Sequence, residues 1–172
     1  MKAAQRYPES TVFSVPLGDG EFALGLVARR APRAAMIFGY FFGPTMSSIP
    51  STSQIPDLLR LGVVLRCRFG DLALLNGKWH AIGKVPAWNR RAWPMPLFYR
   101  DEYELLRPPD SSATRLFLIK RSDDNPAKVE WEQRVLELPS DVLQDSLYGA
   151  GAVEILLRKL LVENDNAGRL LN

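Results

Sequence analysis

One imidazole and one thiol occur in the 172 residues, His80 and Cys67, so acid–base or nucleophilic chemistry has to be assembled around them or around carboxylates. His80 lies in Trp79-His80-Ala81-Ile82, a run that reads as a strand with Trp79 and His80 on opposite faces. As a general base it needs a nucleophile within hydrogen-bond reach and a carboxylate to orient it. Asp71, with one further carboxylate, completes the candidate set for a hydrolytic cleft; an ordinary strand histidine is the competing account. Cys67 falls on the apolar side of Val63-Val64-Leu65-Arg66-Cys67-Arg68-Phe69. A thiol among Val, Leu and Phe behaves as a small buried hydrophobe with a raised pKa, not as a nucleophile. A single Cys and a single His exclude an internal disulfide framework and any metal cage of several His or Cys ligands. Carboxylates hold hard cations, but Asp123-Asp124-Asn125 lacks the glycine and distal Glu of a calcium loop. No metal and no cofactor are expected.

The most distinctive stretch is Ala87-Trp88-Asn89-Arg90-Arg91-Ala92-Trp93-Pro94-Met95-Pro96, in which two Trp flank two adjacent Arg in a proline-stiffened loop, with Phe98 close behind. Trp and Arg dominate interface hot spots because each joins a large contact area to a directed polar group. Trp88, Arg90, Arg91, Trp93 and Phe98 are therefore the candidate binding residues. Two alternatives stay open. Trp side chains in a long loop also plug the end of a barrel, and rings among cations also suit single-stranded nucleic acid. A net charge of only +3 and the lack of a nucleic-acid-binding motif weigh against the last. Gly18-Asp19-Gly20 has neither the following helix nor the Lys of a phosphate loop and reads as a hairpin turn. Tyr148-Gly149-Ala150-Gly151 precedes a helical pattern, where it could offer N–H groups to an anion or let backbone pack closely on a sheet.

The elements that must position these residues are mostly strands. Thr11-Val12-Phe13-Ser14-Val15 and residues 22–29 flank turn chemistry and predict a hairpin, with a bulge or bend at Gly25. Residues 35–42 are apolar on both parities, as in a strand buried on both faces, and Gly43-Pro44 should end it. A loop follows to residue 56, with one helical turn over residues 57–61. Residues 63–69 alternate, which predicts a half-exposed strand with Arg66 and Arg68 on a cationic outer face. Residues 72–75 are a short apolar return before the Asn76-Gly77 turn. Residues 79–85, 115–120 and 129–138 are further strands, separated by the irregular segment 86–99 and a polar turn at 121–128. Residues 152–162 place Val153, Leu156, Leu157, Leu160 and Leu161 at helical spacing, although Val153-Ile155-Leu157 also fits a strand. The fold class is mainly β (α+β), a bent antiparallel sheet or small barrel with one C-terminal helix. Residues 1–172 form a single domain with flexible ends at 1–10 and 165–172.

Composition narrows the class further. With 47% hydrophobic and 24% charged residues the chain is globular, not disordered. The longest uncharged stretch, residues 34–56, is interrupted by Gly, Pro and Ser, whereas a membrane span needs about 20 predominantly apolar residues. No membrane partner and a cytoplasmic location are expected. Residues 1–100 carry 13 basic and 5 acidic side chains, and residues 101–172 carry 9 and 14. Either the two parts present patches of opposite sign to different partners, or they neutralise one another across one fold. Sixteen of the 22 cations are Arg, which suits bidentate pairing.

Thr11-Val12-Phe13-Ser14-Val15-Pro16-Leu17-Gly18-Asp19-Gly20 followed by Phe22-Ala23-Leu24-Gly25-Leu26-Val27-Ala28-Arg29 resembles the start of the immunity protein 26 family. Phe41-Phe42-Gly43-Pro44, Phe69-Gly70-Asp71-Leu72, Trp79, Trp93-Pro94 and Tyr148-Gly149-Ala150-Gly151-Ala152-Val153-Glu154 extend the likeness from about Thr11 to Leu161. The resemblance implies a bacterial immunity-type protein of a polymorphic-toxin system that neutralises an unidentified protein toxin by direct contact, without catalysis. The family is also linked by name with a small phosphotriesterase acting on coroxon. That makes a phosphotriester hydrolase the rival, with His80 and Asp71 as its candidates. Known phosphotriesterases use several His ligands for two metals, and this chain has one His. The acidic part after Arg100 would suit a basic toxin, and the Trp–Arg loop an acidic one.

Overall fold

The computed structural model describes residues 7–102 and 116–163. Strands β1 (Thr11–Gly18) and β2 (Glu21–Arg30) form the expected hairpin. Its turn places Gly18, Asp19 and Gly20 at φ of 92°, 53° and 77°, a left-handed run that the two glycines adopt without strain and that Asp tolerates better than most residues. β2 continues into β3 (Met36–Met46), β3 pairs with β4 (Val63–Gly70), and β5 (His80–Lys84) returns beside β1. A helical turn α1 (Ile55–Leu58) begins two residues earlier than the sequence suggested, with Pro56 in its first turn. The apolar return after β4 is helical too, α2 (Leu72–Leu75). A second sheet is built from β6 (Phe98–Asp101), β7 (Leu116–Ser122), β8 (Asn125–Val135) and the short β9 (Leu143–Gln144). The chain then re-enters the first sheet at β10 (Leu147–Tyr148) and ends its described part in α3 (Ala150–Arg158) and a π-helical turn, Lys159–Glu163.

The first sheet has the order β10-β4-β3-β2-β1-β5 and the second β8-β7-β6-β9. Their edge strands stay unjoined, so the architecture is two open sheets and not a barrel. Pairing is antiparallel apart from two short parallel contacts, β10 with β4 and β6 with β9. Among the described residues no helix is long and apolar enough to cross a membrane.

The double-parity apolar pattern of residues 35–42 has a direct cause: β3 is central in the first sheet and covered on both faces. Ile37 and Phe41 face a core shared with Phe13, Phe69, Trp79 and α3 residues Val153 and Leu157. Phe38, Tyr40 and Phe42 face a second core shared with Phe98 and Ile119 of the second sheet. The first sheet is thus the middle of three layers, with helix on one side and sheet on the other. Gly43-Pro44 does not end β3, which runs on to Met46.

Two glycine readings change. Gly25 pairs in register with Phe13, and the irregularities of β2 lie elsewhere, between Phe22 and Leu24 and between Val27 and Arg29. Its constraint is space, because a Cβ there would run into the Phe13 ring. Gly151, by contrast, would meet nothing within 4 Å, so close packing does not explain it. Gly25→Ala is therefore expected to lose about 1–3 kcal/mol by overpacking. Gly151→Ala, in the first turn of a helix, is expected to gain about 0.5–1 kcal/mol. Urea unfolding of the two variants checks both signs.

The expected helical reading of residues 152–162 holds, with the start moved to Ala150. Residues 115 and 165–172, and residues 1–6 of the N-terminal stretch, lie outside the described residues. Tyr7–Ser10 are fastened: Ser10 N–H donates to Val27 O at 2.9 Å, and Arg30 Nη1 donates to Tyr7 O at 3.0 Å.

Candidate functional site

The Trp–Arg loop crosses the outside of the second core. Trp88, Trp93 and Met95 pack against that core while half-buried. Trp93 meets Tyr40 and Phe42 edge-on, at centroid separations of 5.2 and 5.6 Å, and the Tyr40 hydroxyl donates to Pro94 O. Arg90–Ala92 form a single 3-10 turn, capped by Asn89, whose side chain accepts the Arg91 N–H at 3.1 Å. Phe98, expected among the contact residues, starts β6 and is only 1% exposed. Its ring packs edge-on against Phe38, so it supports the loop from beneath and cannot itself meet a partner.

Beside the loop lies a cleft of about 580 Å³, lined by the cations Arg29, Arg90, Arg91, Lys120 and Arg121 and by one carboxylate, Asp123. Pro94 and Met95 supply part of its apolar wall. Most of these cations are held in place. Arg29, 2% exposed at the end of β2, donates from Nε to Asp123 Oδ1 at 2.7 Å, from Nη1 to Ala28 O at 2.7 Å and from Nη2 to Arg90 O at 3.3 Å. Arg90 reaches the tip of the β7–β8 hairpin, with Nη1 on Asp124 Oδ1 at 2.7 Å, and also Glu9, with Nη2 on Oε1 at 3.1 Å. Lys120 lies 3.3 Å from Glu130. The exposed Arg91 side chain makes no ion pair among the described residues.

Arg121 belongs at the same time to a buried cluster. Its Nε and Nη2 grip both oxygens of Asp145 at 2.7 Å, and Arg68 Nη2 reaches Asp145 Oδ1 at 2.6 Å. Arg68 also lies over the Phe98 ring, 5.5 Å from its centroid. Burial pulls the Arg68 pKa below its ordinary value, opposed by Asp145. The expectation of a cationic outer face on β4 is overturned here. Arg66 and Arg68 do point away from Cys67, but the second sheet lies across that side. Arg68 is 4% exposed, and Arg66 pairs with Asp141, whose carboxyl it holds below the usual range.

The hydrolytic candidates do not assemble. His80 is exposed on the edge strand β5, whereas Asp71 is buried and accepts from Arg30 Nη2 at 3.3 Å. Neither lines the cationic cleft. Cys67 sits in the core below the helix, where burial pushes its thiol up to about 12 and keeps it protonated at neutral pH. Among the described residues no three His, Cys, Asp or Glu side chains gather in a way that could hold a metal ion.

Several of the gathered residues carried no local signal. Arg29, Lys120 and Arg121 come from three strands that are neighbours only after the sheets stack, and Asp123 and Asp124 read as turn residues. The one available hint was the preference for Arg over Lys, since planar bidentate pairing is what Arg121 performs on Asp145.

No match was found among curated proteins or among solved structures. The family model for immunity protein 26 matches residues 9–104, which run from the start of the first sheet through the Trp–Arg loop to β6. With more than half of its length matched, the chain belongs to the immunity protein 26 family.

Proposed function

We propose that this protein, a single domain of 172 residues, binds a bacterial protein toxin by direct contact and neutralises it in the cytoplasm, without chemistry of its own. Membership of the immunity family carries the reading. The Trp–Arg loop adds physical support. Its arginines stand on a short turn fixed by Asn89, Pro94 and the half-buried Trp93, so little loop ordering remains to oppose association. Trp88, Arg90, Arg91 and Trp93 form the contact region in this reading, with Phe98 as its internal support.

Co-expression with candidate toxins of polymorphic-toxin systems, in a bacterium that they kill, is the direct test. Restored growth together with a stoichiometric complex on size exclusion is the expected outcome. Growth arrest with no complex formed from the purified proteins would overturn the proposal.

A further inference from the structure

We propose that the cationic cleft is the docking site for an acidic, carboxylate-bearing segment of the partner protein, with Arg91 and Lys120 as its primary contacts. The inference rests on the reading of the protein as a partner-binding one and specifies the chemistry that the partner must present.

The cleft's lining has five cations and one carboxylate, in a chain whose other arginines are largely matched to acids within the fold. Its two deepest cations are fixed: Arg29 by three hydrogen bonds and Arg121 by a bidentate grip on Asp145. Both are therefore matched within the fold and are not themselves contacts for a partner. The mouth is different. Arg91 is exposed and makes no ion pair among the described residues, and Lys120 meets only the half-exposed Glu130 at 3.3 Å. These two side chains have donors to give.

The hairpin tip shows which anion fits. Asp123 and Asp124 already lie on Arg29 and Arg90, with contacts of 2.7 Å for each pair, although their own side chains are 53% and 88% exposed. Carboxylates at peptide spacing thus suit the geometry of this arginine cluster, and a partner's Asp or Glu residues would extend the row from Arg90 onto Arg91 and Lys120. A nucleic-acid backbone is the less favoured occupant, because the anions this cluster already holds are carboxylates and the chain has no nucleic-acid-binding motif. The apolar wall of Pro94 and Met95 suits an aliphatic residue between the acids.

Fluorescein-labelled decaglutamate, titrated at low salt and read by anisotropy, is the probe. Binding should weaken by at least about tenfold in the Arg91→Glu/Lys120→Glu double variant and fade as salt rises. Arg60→Glu, at an exposed site in another loop, should leave it unchanged, and circular dichroism reports whether each variant folds. Equal binding by wild type and double variant would overturn the proposal. So would tighter binding of a single-stranded oligonucleotide that displaces the peptide. A second arm repeats the co-expression and size-exclusion test of toxin binding with wild type and double variant. Failure of wild type to take up the toxin would sink the proposed function alone, whereas equal uptake by the double variant would sink the cleft assignment alone.

Discussion

Asp145→Asn is expected to cost about 3–5 kcal/mol of folding stability, because it leaves two buried guanidinium groups facing each other without a counter-charge. Asp145 is 6% exposed, between Arg68 at 4% and Arg121 at 10%. Its place in the chain magnifies the effect. It lies between β9, the last strand of the second sheet, and β10, which rejoins the first, and its own N–H donates to Tyr99 O at 2.8 Å. One carboxylate therefore ties β4 of one sheet to β7 of the other at the point where the chain crosses between them. Urea denaturation followed by Trp fluorescence should show the midpoint falling sharply for Asp145→Asn. The triple variant Arg68→Met/Asp145→Leu/Arg121→Met, which removes all the buried charge together, should recover much of the loss. A single-variant loss below about 1 kcal/mol would mean that water reaches the cluster and the pair behaves as a surface one.

That cluster also marks the limit of what strand periodicity reveals. Alternation in residues 63–69 correctly separated Arg66 and Arg68 from Cys67, because parity is a property of one strand. Whether the arginine side meets water is a property of the next layer, and that layer arrives from sequence some fifty residues later. The uneven charge distribution held the missing information. The carboxylates that neutralise Arg29, Arg66, Arg68 and Arg90 are Asp123, Asp141, Asp145 and Asp124, and Lys78 meets Glu154 in the same way. The basic first part and the acidic second part therefore pair within the fold instead of forming two separate faces. β3 was legible for the opposite reason: apolar residues on both parities have no explanation except cover on both faces. The Trp–Arg loop is legible as a distinct feature, but Phe98 is buried at 1% exposure, since proximity in sequence to an exposed loop says nothing about the first residue of the strand that follows it.

Trp79→Ala is the second substitution with a large expected effect, a loss of about 3–5 kcal/mol. The indole is fully buried between the first sheet and α3, parallel to the Phe13 ring at an interplanar angle of 4° and a centroid distance of 5.5 Å. It also meets Phe41 edge-on and Phe69 at a tilt. Its Nε1 donates at 2.9 Å to Glu154 Oε1 on α3, while Lys78 Nζ holds the other carboxylate oxygen at 2.8 Å. Truncation would empty the centre of a ring cluster that has little freedom to collapse, because Gly25 already admits Phe13 at its closest approach. Trp79→Phe separates the two contributions: it keeps a stacking ring and forfeits the hydrogen bond to Glu154, for an expected loss of about 1–2 kcal/mol. Comparable losses for Phe and Ala would assign the effect to the hydrogen bond and not to packing. The position of this core also decides what the variant should leave intact. Trp79 lies on the helix side of the first sheet and the cationic cleft on the other, so Trp79→Ala, kept cold enough to remain folded, should bind decaglutamate as wild type does. A weakened peptide affinity in the folded variant would show that the two faces of the central sheet are coupled, and that the cleft depends on more than the loop and hairpin that line it.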